Sequence, residues 1–376
     1  MSKDHTPLPP EEPGDDALDD TKAAKDTKNK TRPVKEPKLP KPPRRGAKPD
    51  AEPGPYQNPQ IERFQTFVGN TPAERERLSN TIDIWDNTPR YSISRQAMNK
   101  RRNEYGNLPL LVQTFSYRNE DYTAKIYPAK LEEDGQVVEY YPSANEELVE
   151  EALRKIAAKQ WQGFHTRAPV ASGAAFSVYE LRQELAANGH ARSYQQITQS
   201  LAILRKSHIE LCKAGSKKVL VAANYLTGMT AVSRELRDED PDARWVVQFH
   251  PLVSQSIEQL AYRQFNYATL MALPTQLSRW LHKQLSIKFT FASMLGNPFE
   301  MYYSTIKRDS NMLNRGREVD NRSDVDKAFA ELVKSKVLRE VQKRSVIEGK
   351  GKVVDVVYLL YPSAEFVREM KAANVR

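Results

Sequence analysis

Leu201-Ala202-Ile203-Leu204-Arg205-Lys206-Ser207-His208-Ile209 is matched 128 residues later by Phe329-Ala330-Glu331-Leu332-Val333-Lys334-Ser335-Lys336-Val337. Ala, Leu, Lys and Ser are identical, and three further positions keep apolar or basic character. Each copy reads as a helix that ends in Lys-Ser and runs into a strand. A Lys-rich turn and a second strand follow in both. That order is how a winged helix reads in sequence, and two copies predict two DNA-reading modules on one chain.

Working outward from the first copy, Ser177-Val178-Tyr179-Glu180 and Ser193-Tyr194-Gln195-Gln196 have the spacing of capping boxes. They predict helices over Val178–Ala187 and from Tyr194 to about Lys206, separated around Asn188-Gly189. That is helix-turn-helix spacing. Strands 209–213 and 218–223 then flank a wing at Ala214-Gly215-Ser216-Lys217. Upstream, Glu147, Leu148, Val149, Ala152, Leu153 and Ile156 form the apolar stripe of a preceding helix. Arg90–Arg95, Leu108–Tyr117, Tyr122–Leu131 and Val137–Tyr141 alternate as strands, the last two joined by Glu133-Asp134-Gly135.

Around the second copy, Pro274 suits the first position of a helix, with Leu277, Trp280, Leu281, Leu285 and Phe289 on one face. Tyr303–Leu313 predicts a weaker helix. Ser323-Asp324-Val325-Asp326 reads as the cap of a third, from Asp324 to Ser335. Strands 337–347 and 353–360 enclose a wing at Glu348-Gly349-Lys350-Gly351. Residues 224–272 read as a linker with one strand (Trp245–Phe249) and a helix from Pro251. The expected class is α+β: two tandem winged-helix domains behind a disordered N-terminal tail. The expected boundaries are a tail over 1–59, a linker over 60–89, domain one over 90–235, a connecting strand and helix over 236–272, and domain two over 273–376.

Composition narrows the function. Of 376 residues, 39% are hydrophobic and mean hydropathy is -0.69, low for one large globular body. Residues 1–59 hold 13 of the 24 prolines and too little apolar surface to offset chain ordering. No run approaches the ~18 apolar residues of a membrane span, and the polar start predicts no signal peptide. The lone Cys212 excludes an internal disulfide and fits a reducing cytoplasm. Net charge is +9, unevenly spread. Residues 192–218 carry six bases and one acid, and residues 333–352 carry seven bases and two acids. The predicted wings thus concentrate positive charge.

Helical periodicity turns Ile197, Leu201 and Leu204 inward and Arg192, Gln195, Gln199, Ala202 and Lys206 outward. In the second copy, Val325, Phe329 and Leu332 face inward, and Arg322, Ser323, Lys327, Ala330 and Lys334 outward. Gln pairs bidentately with adenine, and Arg or Lys with guanine. Arg192, Gln195, Gln199, Lys206, Arg322, Ser323, Lys327 and Lys334 are therefore the expected base readers. Lys213, Lys217, Lys218, Lys343, Arg344, Lys350 and Lys352 are the expected phosphate contacts, which position without reading sequence.

Catalysis finds little support. His5, His165, His190, His208, His250 and His282 lack the pairing of a nicking endonuclease, there is no phosphate-binding G-x-x-x-x-G-K-[ST] loop, and no zinc cluster. His208 reads as structural, and Glu132-Glu133-Asp134 as a solvated turn. No enzyme activity, metal or cofactor is expected. A tandem winged-helix transcription regulator and, less so, a rolling-circle nickase are the alternatives.

The hairpin leading into Glu147-Leu148-Val149 and Ala152-Leu153 within Tyr122–Ala158, then Phe176–Leu181 and the Tyr194–Lys206 helix, resembles the iteron-binding plasmid replication initiators of TrfA-like and RepA type. The resemblance covers about residues 90–360. It implies monomers on directly repeated sites in double-stranded origin DNA, origin opening, and recruitment of host initiator and replicative helicase. It also implies a monomer–dimer equilibrium that limits copy number. Gln60-Ile61-Glu62-Arg63-Phe64 stands where TrfA-like proteins carry a sliding-clamp peptide. Gln60, Ile61 and Phe64 match that peptide, and Arg63 departs from its Leu.

Overall fold

The computed structural model describes residues 78–159, 173–216, 218–231, 244–258, 262–289, 298–349 and 352–374. All of them belong to the compact unit Pro53–Arg376. The tail, the possible clamp peptide (Gln60, Ile61, Phe64), Lys217, Lys350 and the side chain of Lys352 lie outside the described residues.

The fold is α+β. Strand β1 (Leu78–Ile82) pairs antiparallel with β11 (Tyr262–Asn266). Helices α1 (Asp83–Asn87) and α2 (Arg95–Arg101) follow. Strands β2 (Leu111–Tyr117) and β3 (Glu120–Tyr127) form a hairpin, as do β4 (Ala129–Glu133) and β5 (Gln136–Tyr140). Asp134 and Gly135 both have positive φ, at 51° and 76°, which is the two-residue turn that matches strand twist.

Next come α3 (Ala144–Lys159), β6 (Gly173–Ser177), α4 (Val178–Ala187), α5 (Tyr194–Lys206), β7 (His208–Lys213) and β8 (Val219–Asn224). The Ser177 side chain caps α4 through the Glu180 amide, and Ser193 with Gln196 closes a complete capping box on α5. Strands β9 (Leu226–Ala231) and β10 (Arg244–Phe249) lead to α6 (Pro251–Glu258), β11 and α7 (Tyr267–Ala272). The remainder runs α8 (Gln276–Lys288), β12 (Phe299–Tyr302), α9 (Tyr303–Ser310), α10 (Glu318–Lys334), β13 (Leu338–Glu348), β14 (Lys352–Pro362) and α11 (Ala364–Asn374).

The larger sheets are ordered β2-β3-β7-β8, β6-β10-β9 and β12-β14-β13. In the last, β12 pairs directly with β14. The corresponding earlier strand β6 instead pairs with β10, which inserts between β6 and β9. Two principal apolar cores result, one from Trp85 to Met271 and one from Leu273 to Met370.

Five local expectations are corrected. Residues 90–94 are not a strand. Arg90, Tyr91, Ser92 and Ile93 are all buried, and Ser94 caps α2 by accepting from the Ala97 amide. Tyr122–Leu131 is two strands, broken at Pro128, which has no N–H for a ladder. Thr275, not Pro274, starts α8: its hydroxyl caps the Ser278 amide. The third helix of the second copy begins at Glu318, so Ser323 is interior. Glu318 and Asp320 suit its positive end, and buried Asn321 holds both the Arg315 N–H and C=O. Residues 224–272 are also more folded than a linker, with three strands and two helices.

The two cores meet across buried charge. Asp86, Glu147, Glu150 and Glu151 face Arg90, Arg154, Arg279 and Lys283, all buried. Asp86 takes a two-oxygen pairing from Arg154 at 3.1 Å each, with Arg90 at 3.0 Å and Lys283 at 3.3 Å. Lys283 also reaches Glu151 at 2.5 Å, and Arg279 reaches Glu147 at 3.1 Å. Burial opposes ionisation of Asp86, yet Arg154, Lys283 and Arg90 hold its carboxyl well below the usual range. Because Lys283 and Arg279 lie on α8 and their acids on α1 and α3, these pairs orient the second core on the first. Replacing Lys283 with Met leaves Asp86 and Glu151 one buried cation short, with Arg154 shared between them, and urea unfolding should show a loss of about 3 kcal/mol.

His282 on α8 is fully buried between the rings of Phe265 and Phe366, with neither ring nitrogen partnered. Burial, with Lys283 beside it, lowers its pKa from 6.5 to about 3. The unfolded imidazole gains its proton below 6.5 while the folded one stays neutral to about 3. Stability should therefore fall as pH drops through that window. His282→Leu should remove part of this acid loss, seen as a smaller drop in melting temperature between about pH 7 and pH 4.5 than in the wild type.

Candidate nucleic-acid interface

The inward positions expected on α5 (Ile197, Leu201, Leu204) and α10 (Val325, Phe329, Leu332) are all buried. The outward faces differ sharply between the two helices.

On α5 the β4–β5 hairpin covers one flank. Gln199 Nε2 donates to Glu133 Oε1 at 2.7 Å, and Lys206 Nζ donates to the Lys130 carbonyl at 3.2 Å. Ala202 packs on a small cluster of Ala129, Leu131 and Ile203. Arg192 turns back to Asn145 at the start of α3, at 3.0 and 3.3 Å. Of the expected readers here, only Gln195 is exposed without such a tie. The open stripe is instead Gln195, Thr198 and Arg205, at i, i+3 and i+10. The apolar Ile203, outside the expected inward set, was the signal for a second buried face.

On α10, Lys327, Ala330 and Lys334 are exposed along one face. Ser323 is half-buried, and Arg322 turns inward with its guanidinium 5.4 Å from the Tyr303 ring. The longer helix adds an N-terminal turn that motif reading missed, with Val319 exposed on it. Lys336, with φ +57°, and the Val337 N–H to Leu332 C=O bond close the helix before β13.

The β13–β14 hairpin stands beside this face. Lys343 Nζ pairs with Asp326 Oδ2 at 2.9 Å, and Tyr358 OH donates to Asp326 Oδ1 at 3.0 Å. Arg344 is exposed. In the first hairpin, Lys213 pairs with Glu120 at 2.6 Å, which raises the lysine pKa, and Lys218 is exposed. The structure thus leaves Lys327 and Lys334 together on one open helix face, with Arg344 exposed on the adjacent hairpin. Lys206, Lys213, Gln199, Arg192, Lys343 and Arg322 carry internal contacts.

Among the described residues, no group of three His, Cys, Asp or Glu could hold a metal ion, and no helix is long and apolar enough to cross a membrane.

No protein-family model and no curated protein sequence matches the chain. Among solved structures, a selenomethionine form of domains 2 and 3 of RctB is similar over 70% of this chain and 95% of that one, with 11% identity and a TM-score of 0.45. A further structure of RctB domains 2-3 covers 69% and 94%, at 12% identity and a TM-score of 0.42. The Pi initiator protein in complex with iteron DNA covers 64% and 98%, at 11% identity and a TM-score of 0.39.

The two helices separate in a binding experiment. Lys327→Ala should weaken binding to a duplex selected from a random pool by about 1–3 kcal/mol and relax preference at one base pair. Gln199→Ala should leave sequence preference unchanged, because Gln199 is committed to Glu133. Fluorescence anisotropy titrations on matched and single-mismatch duplexes check both.

Proposed function

We propose that the chain is a sequence-specific binder of double-stranded DNA built on two winged helices, and that it initiates plasmid replication. The order helix–strand–helix–helix–strand–strand occurs twice, as α3-β6-α4-α5-β7-β8 and α8-β12-α9-α10-β13-β14. The domain assignment follows as 90–235 and 273–376, joined by 236–272 and preceded by 1–59 and 60–89.

One observation carries the reading: α10 presents Lys327, Ala330 and Lys334 on an unobstructed face with the Arg344-bearing hairpin pinned beside it. A major groove about 12 Å wide admits such a helix, and the hairpin is then set against the neighbouring backbone. Helix α10 is the principal base reader. Helix α5 is the secondary one, because acidic Glu132, Glu133 and Asp134 of the β4–β5 hairpin flank it and repel phosphate.

The initiator role is supported by the resemblance over Tyr122–Ala158, Phe176–Leu181 and Tyr194–Lys206. On that reading the protein is non-catalytic and needs no cofactor. It works in the bacterial cytoplasm, opens the origin, recruits host initiator and replicative helicase, and exchanges between monomer and dimer. The sliding clamp is a further partner through Gln60, Ile61 and Phe64.

Hydroxyl-radical and dimethyl-sulfate footprinting on a selected duplex tests the DNA reading. The expected result is two protected faces about 10 base pairs apart, with guanine protection concentrated at one of them. Lys327→Ala should erase that protection. Equal binding to every duplex would defeat the proposal. Supplying the gene with candidate origin DNA and scoring plasmid maintenance tests the replication role separately.

A further inference from the structure

The first half of α10 carries Glu318, Asp320, Asp324 and Asp326, acids that would repel the phosphates that Lys327 and Lys334 attract. Each of them is paired. Glu318 engages Lys307 and Tyr303, and Asp326 engages Lys343 and Tyr358. The other two hold arginines from the segment just before the helix. Asp320 accepts from Arg317 Nε at 2.9 Å and from its Nη2 at 3.0 Å. Asp324 accepts from Arg315 Nε at 2.5 Å and from its Nη2 at 3.0 Å. The Arg315 backbone is fixed as well, since buried Asn321 bonds both its N–H and its C=O. Arg317 stands at the start of α10, but its side chain makes no capping bond.

Arginine differs from lysine in having two edges that can bond. Nε and one Nη2 hydrogen form the side edge, and Nη1 with the other Nη2 hydrogen forms the end edge. Both aspartates occupy the side edge. Among the described residues the end edges carry no hydrogen bond, and the side chains are 60% exposed at Arg315 and 81% at Arg317. An end edge offers two parallel N–H groups, the match for guanine O6 and N7. Exposed ion pairs add little stability. Here, however, the aspartates already hold in place a long side chain that binding would otherwise have to immobilise. Asp320, Asp324 and Lys327 follow at i, i+4 and i+7, one row on the helix, so both guanidinium groups stand beside the row that carries Lys327.

We infer that Arg315 and Arg317 each read a guanine through the end edge, and that Asp320 and Asp324 are positioning residues that set this specificity. The inference rests on α10 reading the major groove. It adds two base contacts that helical periodicity does not reveal, because both arginines precede the helix. It also gives the acids a role in recognition. Without its aspartate, an arginine keeps its charge and can contact phosphate, but its end edge is no longer aimed at one base. A lysine in place of the arginine likewise keeps the phosphate attraction and loses the two-point match.

The test uses the full chain and a duplex selected by the wild type from a random pool. Each guanine is replaced in turn by 7-deazaguanine, which lacks N7. At two guanines the replacement should weaken wild-type binding about tenfold, the loss of one bond to a charged donor. Arg317→Lys should make one of these positions insensitive while keeping the salt dependence, and Arg315→Lys should do so at the other. Asp320→Ala should remove the sensitivity at the Arg317 position, although it deletes a negative charge. Glu318→Ala deletes a neighbouring acid that holds neither arginine, and should leave both positions sensitive. Loss of sensitivity there too would defeat the role given to Asp320. Tighter binding by Asp320→Ala with both positions still sensitive would reduce the pair to a surface ion pair and overturn the proposal. Sequence preference in the wild type with no sensitive guanine would also overturn it, whereas absence of any sequence preference would overturn the reading of α10 itself.

Discussion

Four acids and four bases buried between α1, α3 and α8 hold the two halves of the protein in one arrangement. Buried ions are costly to desolvate, and their attraction offsets that cost only in good geometry. Asp86 meets this condition with three cations, and Glu150 accepts from Arg90, Trp85 and Tyr91. Such a network tolerates little sliding, because any shift of α8 leaves charges unpaired in a low-dielectric interior. Two lesser ties agree with it. At the end of α9, Asp309 accepts from the Ser116 N–H and Asn311 donates to the Thr114 C=O of edge strand β2, and Asn266 donates to Glu369. The first of these also blunts a sheet edge otherwise open to pairing.

On the proposed function a fixed arrangement matters, because a two-module DNA binder measures distance. With α3 and α8 locked together, the helices that follow each of them, α5 and α10, present their exposed faces at a set separation. The modules then divide the work unequally. Helix α5 is clasped by the β4–β5 hairpin, and Tyr140 of that hairpin lies under the guanidinium groups of Arg95 and Arg102 and donates to Glu133. Among the described residues, helix α10 has no comparable clasp on its Lys327–Lys334 face. The two copies share the order of their elements, and in one of them part of the outer helix face is a structural surface.

Local chemistry was readable wherever it closed over a few residues. The caps at Ser177 and Ser193, the Asp134-Gly135 turn and the inward stripes of α5, α8 and α10 all depend on neighbours within one or two turns. Readings failed where distant residues decided. Arg90–Ile93 alternates like a strand, yet all four residues are buried, with Arg90 and Tyr91 held by Glu150, some 60 positions away. Ser323 has the signature of a cap, but Asn321, closing on Arg315, lets the helix start at Glu318. Arg192, Gln199 and Lys206 sit on the face expected from the 3.6-residue period. Their partners Asn145, Glu133 and Lys130 come from elements that helical periodicity does not see.

By itself, then, the sequence determined the repeated unit, its helices and hairpins, and the concentration of basic residues along them, since periodicity, capping and turn chemistry act through adjacent residues. Only the tertiary structure decided which of those residues remain available to a partner. Availability depends on what packs against each face: a hairpin from 70 residues upstream occupies α5, and Asp326 engages Lys343. It also depends on the buried ion pairs that fix α8 against α3, a long-range balance of desolvation and attraction that no local pattern encodes.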